Sequence, residues 1–163
     1  MNKMKITSPS FEADGWIPKK HSARGADLSP ALSIAHIPEG TVSLAITLDD
    51  ASHPLFPNYN HWLIWNLPVL DLMPEGIAHG YEVVALQGAK QGRAYGRNCY
   101  KGPKPPLKAI HTYVFTVYAL DCKLTLNNQT TKADLLSAMK GHILEQATLQ
   151  GKFQSHRKES IDD

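Results

Sequence analysis

The stretch Asn60-His61-Trp62-Leu63-Ile64-Trp65-Asn66-Leu67-Pro68 carries the strongest structural signal in this chain. A histidine opens a run of apolar and aromatic residues, which are the side chains that half-buried strands favour, and a proline closes it. A second run of this kind starts at another histidine and reads His111-Thr112-Tyr113-Val114-Phe115-Thr116-Val117-Tyr118-Ala119-Leu120. If the two strands are neighbours in one sheet, both imidazoles lie at the same rim and line one pocket.

A third strand precedes both runs. Apolar and polar residues alternate over residues 41–50, which is the period of a strand with one buried face. The strand ends in two carboxylates. Asp50 is expected to join the histidines in the pocket, whereas Asp49 is expected to be a solvated neighbour. Residues 51–60 contain two prolines and two asparagines, a composition typical of an ordered loop, and they lead into His61.

The rest of the chain predicts a mainly β protein. A short apolar run over residues 81–86 is a further strand, and the Gly- and Pro-rich residues 87–107 form a long loop. Thr131-Lys132-Ala133-Asp134 has the form of a helix capping box, and apolar residues at helical spacing follow it as far as Ala147. Short strands, such loops and one late helix favour an antiparallel β domain with peripheral helices, including a C-terminal helix.

Length and composition set limits on function. The 163 residues are predicted to form a single domain, 1–163, whose polar tail at 155–163 frays. The 17 basic and 15 acidic residues give a net charge of +2, too balanced for a nucleic-acid binder that works through charge. No apolar stretch has the length of a signal peptide or a membrane span, which predicts a cytoplasmic protein. The two cysteines lack zinc-ligand or disulfide spacing, and no cofactor is expected.

Together these segments resemble the phosphatidylethanolamine-binding protein family, and within it the bacterial proteins similar to Raf kinase inhibitor protein. The family's first signature is a strand ending in Asp-Pro-Asp-Ala-Pro, then a loop, then His-Trp or His-Phe and an apolar strand. Here it corresponds to residues 44–50, Pro54 and residues 61–68. The second signature is Gly-x-x-Pro-Pro before His-Arg-Tyr, which corresponds to residues 102–106 and 111–113. The terminal helix, expected over residues 132–151, is similar too.

The resemblance implies a central antiparallel β-sandwich with a small pocket at one end that receives an anionic head group such as phosphate. Carried over residue by residue, the ligand-binding positions are Asp50, His61, Pro105, Pro106, His111 and Tyr113. The implied function is binding of a small anionic or phosphorylated ligand, with regulation of a partner kinase or protease through the pocket. Bacterial relatives also imply a homodimer.

The predicted pocket has chemistry that suits an anion. A carboxylate at Asp50 favours the imidazolium form of a neighbouring histidine, and an imidazolium offers two donors to phosphate oxygens. Tyr113 follows His111 by two residues and shares its face of the strand, so its hydroxyl adds a third donor. The family's second carboxylate is replaced by Ser52 in this chain, which removes one negative charge from the pocket.

Other side chains are assigned by their surroundings. The prolines of the loop are expected to form a rigid wall because they fix φ and lack a backbone donor. The remaining histidines are scattered singly, and most of them receive no role. Three lysines beside the Pro-Pro loop are either solvated or steer an anion, namely Lys101, Lys104 and Lys108. Four large rings are expected in the core, namely Trp62, Trp65, Phe115 and Tyr118.

Two alternative functions stay open. Asp50, His61 and His111 also suit acid–base catalysis or a two-histidine, one-carboxylate metal site, as in a hydrolytic or metal-dependent enzyme. Its nucleophile would be Ser52 or Cys99, although a buried, idle thiol is the better interpretation of Cys99. The other alternative is an interaction protein whose pocket has no role.

Overall fold

The computed structural model describes residues 2–157, which form two antiparallel β-sheets and one α-helix. The strands are β1 (Lys5–Thr7), β2 (Leu32–Ala35), β3 (Ser43–Asp50), β4 (Tyr59–Leu67), β5 (Leu72–Met73), β6 (Glu82–Val83), β7 (Ala89–Gln91), β8 (Ile110–Leu120) and β9 (Ile143–Gln154). The larger sheet has the strand order β6-β7-β4-β3-β8-β9, and the smaller sheet has the order β1-β2-β5. Helix α1 spans Lys132–Met139. The predicted mainly β class is confirmed.

The central strand β3 is covered on both faces. All eight of its residues are buried, whereas the sequence predicted a strand with one buried face. Leu44, Ile46 and Leu48 pack into a core shared with the smaller sheet. Ala45, on the opposite face, packs into a second core that includes Leu135 of α1. The smaller sheet and the helix therefore enclose the larger sheet, and the ends of its strands are left to reach solvent.

The three strands predicted most clearly are confirmed as β3, β4 and β8. The four large rings predicted for the core are all buried. The predicted strand at residues 81–86 is reduced to β6, because a 3-10 helix takes up Val84–Leu86. The predicted loop at 87–107 contains β7, which pairs with both β4 and β6.

Helix α1 begins where the sequence predicts but ends earlier. The capping box is present: the backbone N–H of Thr131 donates to Asp134 Oδ2 at 3.0 Å, and the Thr131 side chain accepts from the backbone of Asp134. The prediction that the helix continues past Gly141 is wrong, because Gly141 turns the chain with a φ of +84°. The following residues form β9.

Strand β9 pairs with β8 along its whole length, from Ile110 opposite Gln154 to Leu120 opposite Ile143. Its buried residues Leu149, Gly151 and Phe153 recur at every second position, which is the strand period. Ile143 and Ala147 fit both the helical and the strand period. The helical interpretation of the sequence therefore missed the pairing of β9 with β8.

The chain end predicted to fray lies only partly within the described residues, and residues 158–163 lie outside them. The hydroxyl of Ser155 donates to the carbonyl of Pro105, and Arg157 lies 4.1 Å from the centre of the Trp16 ring. No helix among residues 2–157 has the length and apolar character that crossing a membrane requires.

Candidate functional site

Strand pairing brings three separated motifs to one end of the larger sheet. Asp50, the last residue of β3, pairs with Tyr59 in β4 on one side and with Tyr113 in β8 on the other. His61 lies two residues beyond Tyr59, and His111 lies two residues before Tyr113. The β3 strand therefore lies between the two strands that carry the histidines.

A cavity of about 210 Å³ lies at this end of the sheet. All six residues expected to bind ligand line it. Five further residues line it as well, namely His53, Pro54, Tyr95, Lys101 and Lys104. The volume lies below the roughly 300–1,000 Å³ of pockets for drug-sized ligands, so the cavity fits a small group.

Asp50 and His111 form a buried pair in the cavity. His111 Nδ1 lies 2.7 Å from Asp50 Oδ2, and the side chains are only 11% and 5% exposed. Asp50 Oδ1 accepts a second hydrogen bond from the backbone N–H of Ser52 at 2.9 Å. The carboxylate thus holds the His111 ring through Nδ1, and the Nε2 atom has no partner among the residues that the structure describes.

Ser52, at the position where the resemblance implies a second carboxylate, has a structural contact in this chain. Its Oγ accepts from the backbone N–H of Thr112 at 2.9 Å, and the carbonyl of Thr112 accepts from Ala51 N at 2.9 Å. These two bonds tie the loop after β3 to strand β8. The substitution therefore keeps the loop anchored beside Asp50 without adding a second negative charge.

His61 is held as a neutral ring. Its Nδ1 lies 2.9 Å from the carbonyl oxygen of Lys101, and because a carbonyl only accepts, Nδ1 carries the proton. Nε2 then accepts from the hydroxyl of Tyr95 at 3.3 Å. Burial lowers the pKa of His61, against the opposing effects of the Lys101 carbonyl and the charge of Asp50. Burial therefore opposes the imidazolium form that Asp50 was expected to favour at His61.

Two tyrosines supply hydroxyls that stay protonated. Tyr113 is 1% exposed, and burial, followed by the nearby charge of Asp50, raises its pKa far above the ordinary value. Burial also raises the pKa of Tyr95 to about 12. The edge-on rings of both tyrosines lie close to His61, with centroid distances of 5.4 Å for Tyr113 and 5.1 Å for Tyr95.

The loop between β7 and β8 forms one wall of the cavity. At Gly102 the backbone passes so close to its neighbours that an added Cβ would lie 2.0 Å from the carbonyl oxygen of His21. The N–H of Gly102 donates to Asp27 Oδ1 at 2.7 Å. This close packing fixes the preceding Lys101 carbonyl that orients His61. Pro105 is buried and Pro106 is exposed, and both line the cavity.

The sequence analysis missed His53 and Tyr95 as cavity residues. His53 stacks on Tyr59, with a centroid distance of 4.7 Å and an interplanar angle of 17°, and its Nδ1 accepts from the backbone N–H of Phe56 at 3.0 Å. Its only sequence signal was its place inside the first motif. Tyr95 comes from the aperiodic loop with a left-handed φ of 54°, and no sequence pattern indicated its position.

Asp49 is buried, so the expectation that it is a solvated neighbour of Asp50 is wrong. The residue is 5% exposed, and its Oδ2 lies 2.8 Å from Lys132 Nζ at the start of α1. Asn60 Nδ2 donates to its Oδ1 at 3.1 Å. Lys132 therefore compensates the charge of Asp49, and no sequence pattern had connected these two residues.

The two candidate nucleophiles of the catalytic alternative, Cys99 and Ser52, are respectively buried and hydrogen-bonded. Cys99 is buried, and that burial raises the pKa of its thiol. The Oγ of Ser52 is engaged with strand β8, as described above. Among residues 2–157 one group of three metal-ligand side chains has donor atoms that all lie within 4.8 Å of one another, and it does not contain Asp50, His61 or His111.

Fold and site together define a two-sheet β protein with a small imidazole–carboxylate cavity where its central strands end. The sequence profile of the family described as phosphatidylethanolamine-binding protein matches residues 7–154. This chain belongs to the phosphatidylethanolamine-binding protein family.

Relatives and solved structures agree with this assignment. A UPF0098 protein of Pyrococcus abyssi is 39% identical over 93% of this chain and 86% of its own length. A UPF0098 protein of Chlamydia pneumoniae is 36% identical over 93% of this chain and 99% of its own length. The crystal structure of a phosphatidylethanolamine-binding protein homologue from Chlamydia trachomatis is 35% identical, with a TM-score of 0.81 over 98% of this chain and 100% of its own. The crystal structure of Escherichia coli YbcL, described as a new member of the mammalian phosphatidylethanolamine-binding protein family, is 25% identical. Its TM-score is 0.84, and the match covers 94% of this chain and 99% of YbcL.

Proposed function

We propose that this chain binds a small phosphate-bearing ligand, such as a phospholipid head group or a phosphorylated metabolite, in the cavity where β3, β4 and β8 end. The observation that carries the proposal is the lining of that cavity, in which, among residues 2–157, Lys101 and Lys104 accompany a single carboxylate, Asp50. That carboxylate already accepts hydrogen bonds from His111 and from the backbone of Ser52. An incoming anion therefore meets two ammonium groups and a carboxylate that is partly compensated.

The two histidines that would donate hydrogen bonds to the ligand must be protonated in order to do so. A doubly protonated His111 donates Nδ1–H to Asp50 and Nε2–H to a phosphate oxygen. His61 Nε2 is an acceptor in the free protein, so a phosphate oxygen binds there only if the ring takes up a proton. Because burial lowers the pKa of His61, this proton uptake costs free energy, and we expect weak binding that strengthens as the pH falls.

The test is a calorimetric titration of the full chain with inorganic phosphate, phosphoethanolamine and glycerophosphoethanolamine. The phosphodiester does not titrate near neutral pH, so any change in its affinity with pH reports the protein alone, whereas the monoester loses its second charge near a pKa of about 6. We expect each ligand that binds to compete with the others. We expect the diester to bind several-fold more tightly at about pH 6 than at about pH 8.

The variants are His61→Ala, His111→Ala and the double substitution, with His79→Ala as the matched control because His79 is exposed and does not line the cavity. We expect the double variant to lose binding and the control to keep it. Unchanged affinity in the double variant, with an unchanged fold by circular dichroism, would overturn the proposal. Preference for the monoester or the diester distinguishes a free phosphorylated metabolite from a lipid head group.

Regulation of a partner kinase or protease extends the same proposal to a protein ligand. It is supported by exposed apolar side chains beside the cavity, where Leu55 is 76% exposed, Phe56 57% and Leu107 75%. Co-purification with wild-type protein but not with the double histidine variant would support regulation through the pocket. Equal co-purification would favour the interaction protein whose pocket has no role.

We further propose that the chain acts in the cytoplasm as a homodimer. Support for the cytoplasm comes from Cys99 and Cys122, which are both free thiols, as is usual in a reducing compartment. Cell fractionation tests the location. Sedimentation of the purified chain tests the dimer, and a mass of 18.0 kDa would exclude it.

A further inference from the structure

Carboxylate, thiol and imidazole donors lie together at the end of β8 that is farthest from the cavity. Asp121 and Cys122 directly follow β8, and His142 directly precedes β9. One ligand atom from each residue lies within 4.8 Å of the other two, and His142 Nδ1 lies 2.9 Å from Asp121 Oδ1. We propose that Asp121, Cys122 and His142 form a binding site for a divalent transition-metal ion of the zinc class.

The backbone holds these donors in place. Asp121 N donates to the carbonyl of His142 at 3.0 Å, which joins the two chain segments that carry the donors. The hydroxyl of Ser43 donates to the carbonyl of Cys122 at 2.6 Å, which ties the cysteine to the first residue of β3. The donors therefore project from the anchored ends of two paired strands, so little backbone movement is needed to bind an ion.

The donor set selects the kind of metal. Thiolate and imidazole ligands suit Zn²⁺ and related ions, with bonds of about 2.3 Å to sulfur and about 2.0 Å to nitrogen, whereas Mg²⁺ and Ca²⁺ require oxygen ligands. The side chains of Asp121 and His142 are 45% and 46% exposed, so they are free to rotate towards a shared ion. Three protein ligands leave the fourth tetrahedral position for water or for an external group.

Metal binding displaces a proton at the cysteine. The ion accepts the sulfur lone pair, the thiol proton leaves to solvent, and His142 binds as a neutral imidazole. No oxidant or reductant takes part.

The site is separate from the candidate ligand cavity. Strand β8 extends from Ile110 to Leu120, and its stretch from His111 at the cavity to Leu120 beside Asp121 spans roughly 30 Å at about 3.3 Å per residue. Variants in one site therefore serve as controls for the other.

The experiment is a Co²⁺ titration of the full chain after chelator treatment, followed by absorption spectroscopy and then by Zn²⁺ displacement. We expect saturation near one equivalent, a near-ultraviolet charge-transfer band from the thiolate, and loss of that band when Zn²⁺ is added. We expect Cys122→Ser to abolish the band and His142→Ala to weaken Co²⁺ binding at least about tenfold.

The matched controls are Cys99→Ser, which removes the other thiol, and His61→Ala, which alters the cavity; both should bind as the wild type does. His142 is exposed, whereas Cys122 is half-buried against the core that contains Leu135, so urea unfolding of each variant checks that its fold is kept. A titration without a thiolate band would overturn the proposal. So would a band that survives Cys122→Ser or disappears with Cys99→Ser.

Discussion

Lys132 Nζ lies 2.8 Å from Asp49 Oδ2, so the first residue of α1 is tied to the strand that ends in the cavity. The two residues are 83 positions apart in the chain. The ion pair is mostly buried, with side-chain exposures of 22% and 7%. It joins the helix on one face of the larger sheet to the residue next to Asp50.

Removing the lysine should leave a buried carboxylate without its cation. We expect Lys132→Met to lower the free energy of unfolding by about 2 kcal/mol, less than for a fully enclosed pair because the lysine is partly exposed. Adding Asp49→Asn should restore much of this loss. Urea unfolding of both single variants and the double variant gives the coupling free energy, and strictly additive losses would contradict the pairing.

His61 should make stability depend on pH. Its pKa is lowered in the folded chain, whereas in the unfolded chain it titrates near its usual value of about 6.5. Between these two values the unfolded chain binds more protons. Stability is therefore fully present above about pH 6.5 and declines as the pH falls towards the folded pKa.

His61→Asn tests this dependence because the amide nitrogen of asparagine can replace Nδ1 as the donor to Lys101. We expect the loss of stability between about pH 7.5 and about pH 5.5 to be smaller in the variant than in the wild type, measured by urea unfolding. Burial also lowers the pKa of His21, which titrates in both proteins and cancels in the comparison. Equal losses in both proteins would contradict the assignment of His61.

The hydroxyl of Tyr95 should hold His61 in its neutral form. Donation to Nε2 favours the unprotonated ring, so Tyr95→Phe should raise the pKa of His61. Tyr59→Phe is the control, because the Tyr59 ring also lies against His61 at 6.3 Å and this change alters a different hydroxyl. Proton NMR titration gives the pKa of the His61 ring in each variant. Equal pKa values in the Tyr95→Phe and Tyr59→Phe variants would refute a role for the Tyr95 hydroxyl.

Gly102 should tolerate no side chain. A Cβ there would overlap the backbone carbonyl of His21 and also lie 2.7 Å from Asp27 Oδ1. We expect Gly102→Ala to cost about 3 kcal/mol or more, because backbone atoms cannot move aside as a flexible side chain does. Gly96→Ala is the control, since no atom of the described residues lies within 4 Å of its added Cβ, and its positive φ should cost only about 1 kcal/mol. Similar urea midpoints for the two variants would contradict the close approach.

The strands β3, β4 and β8 were predictable because their patterns are local, and the spacing of Asp50, His61 and His111 within them indicated a shared rim. The position of Tyr95 was not predictable, because it depends on a loop held by long-range contacts and not on any period. Strand β9 was misinterpreted because its apolar residues also fit a helix, and only pairing with β8 distinguishes the two structures. The burial of Asp49 was missed because its partner lies far away in the chain.

The length of β8 isolates the two ends of the molecule electrostatically. About 30 Å separates the imidazoles at one end from the Asp121 cluster at the other, which is several Debye lengths in a physiological salt solution, where that length is about 8 Å. A double positive charge captured at the far end is screened before it reaches His61. Cation loading at the proposed metal site and ligand occupancy of the proposed cavity site should therefore vary independently.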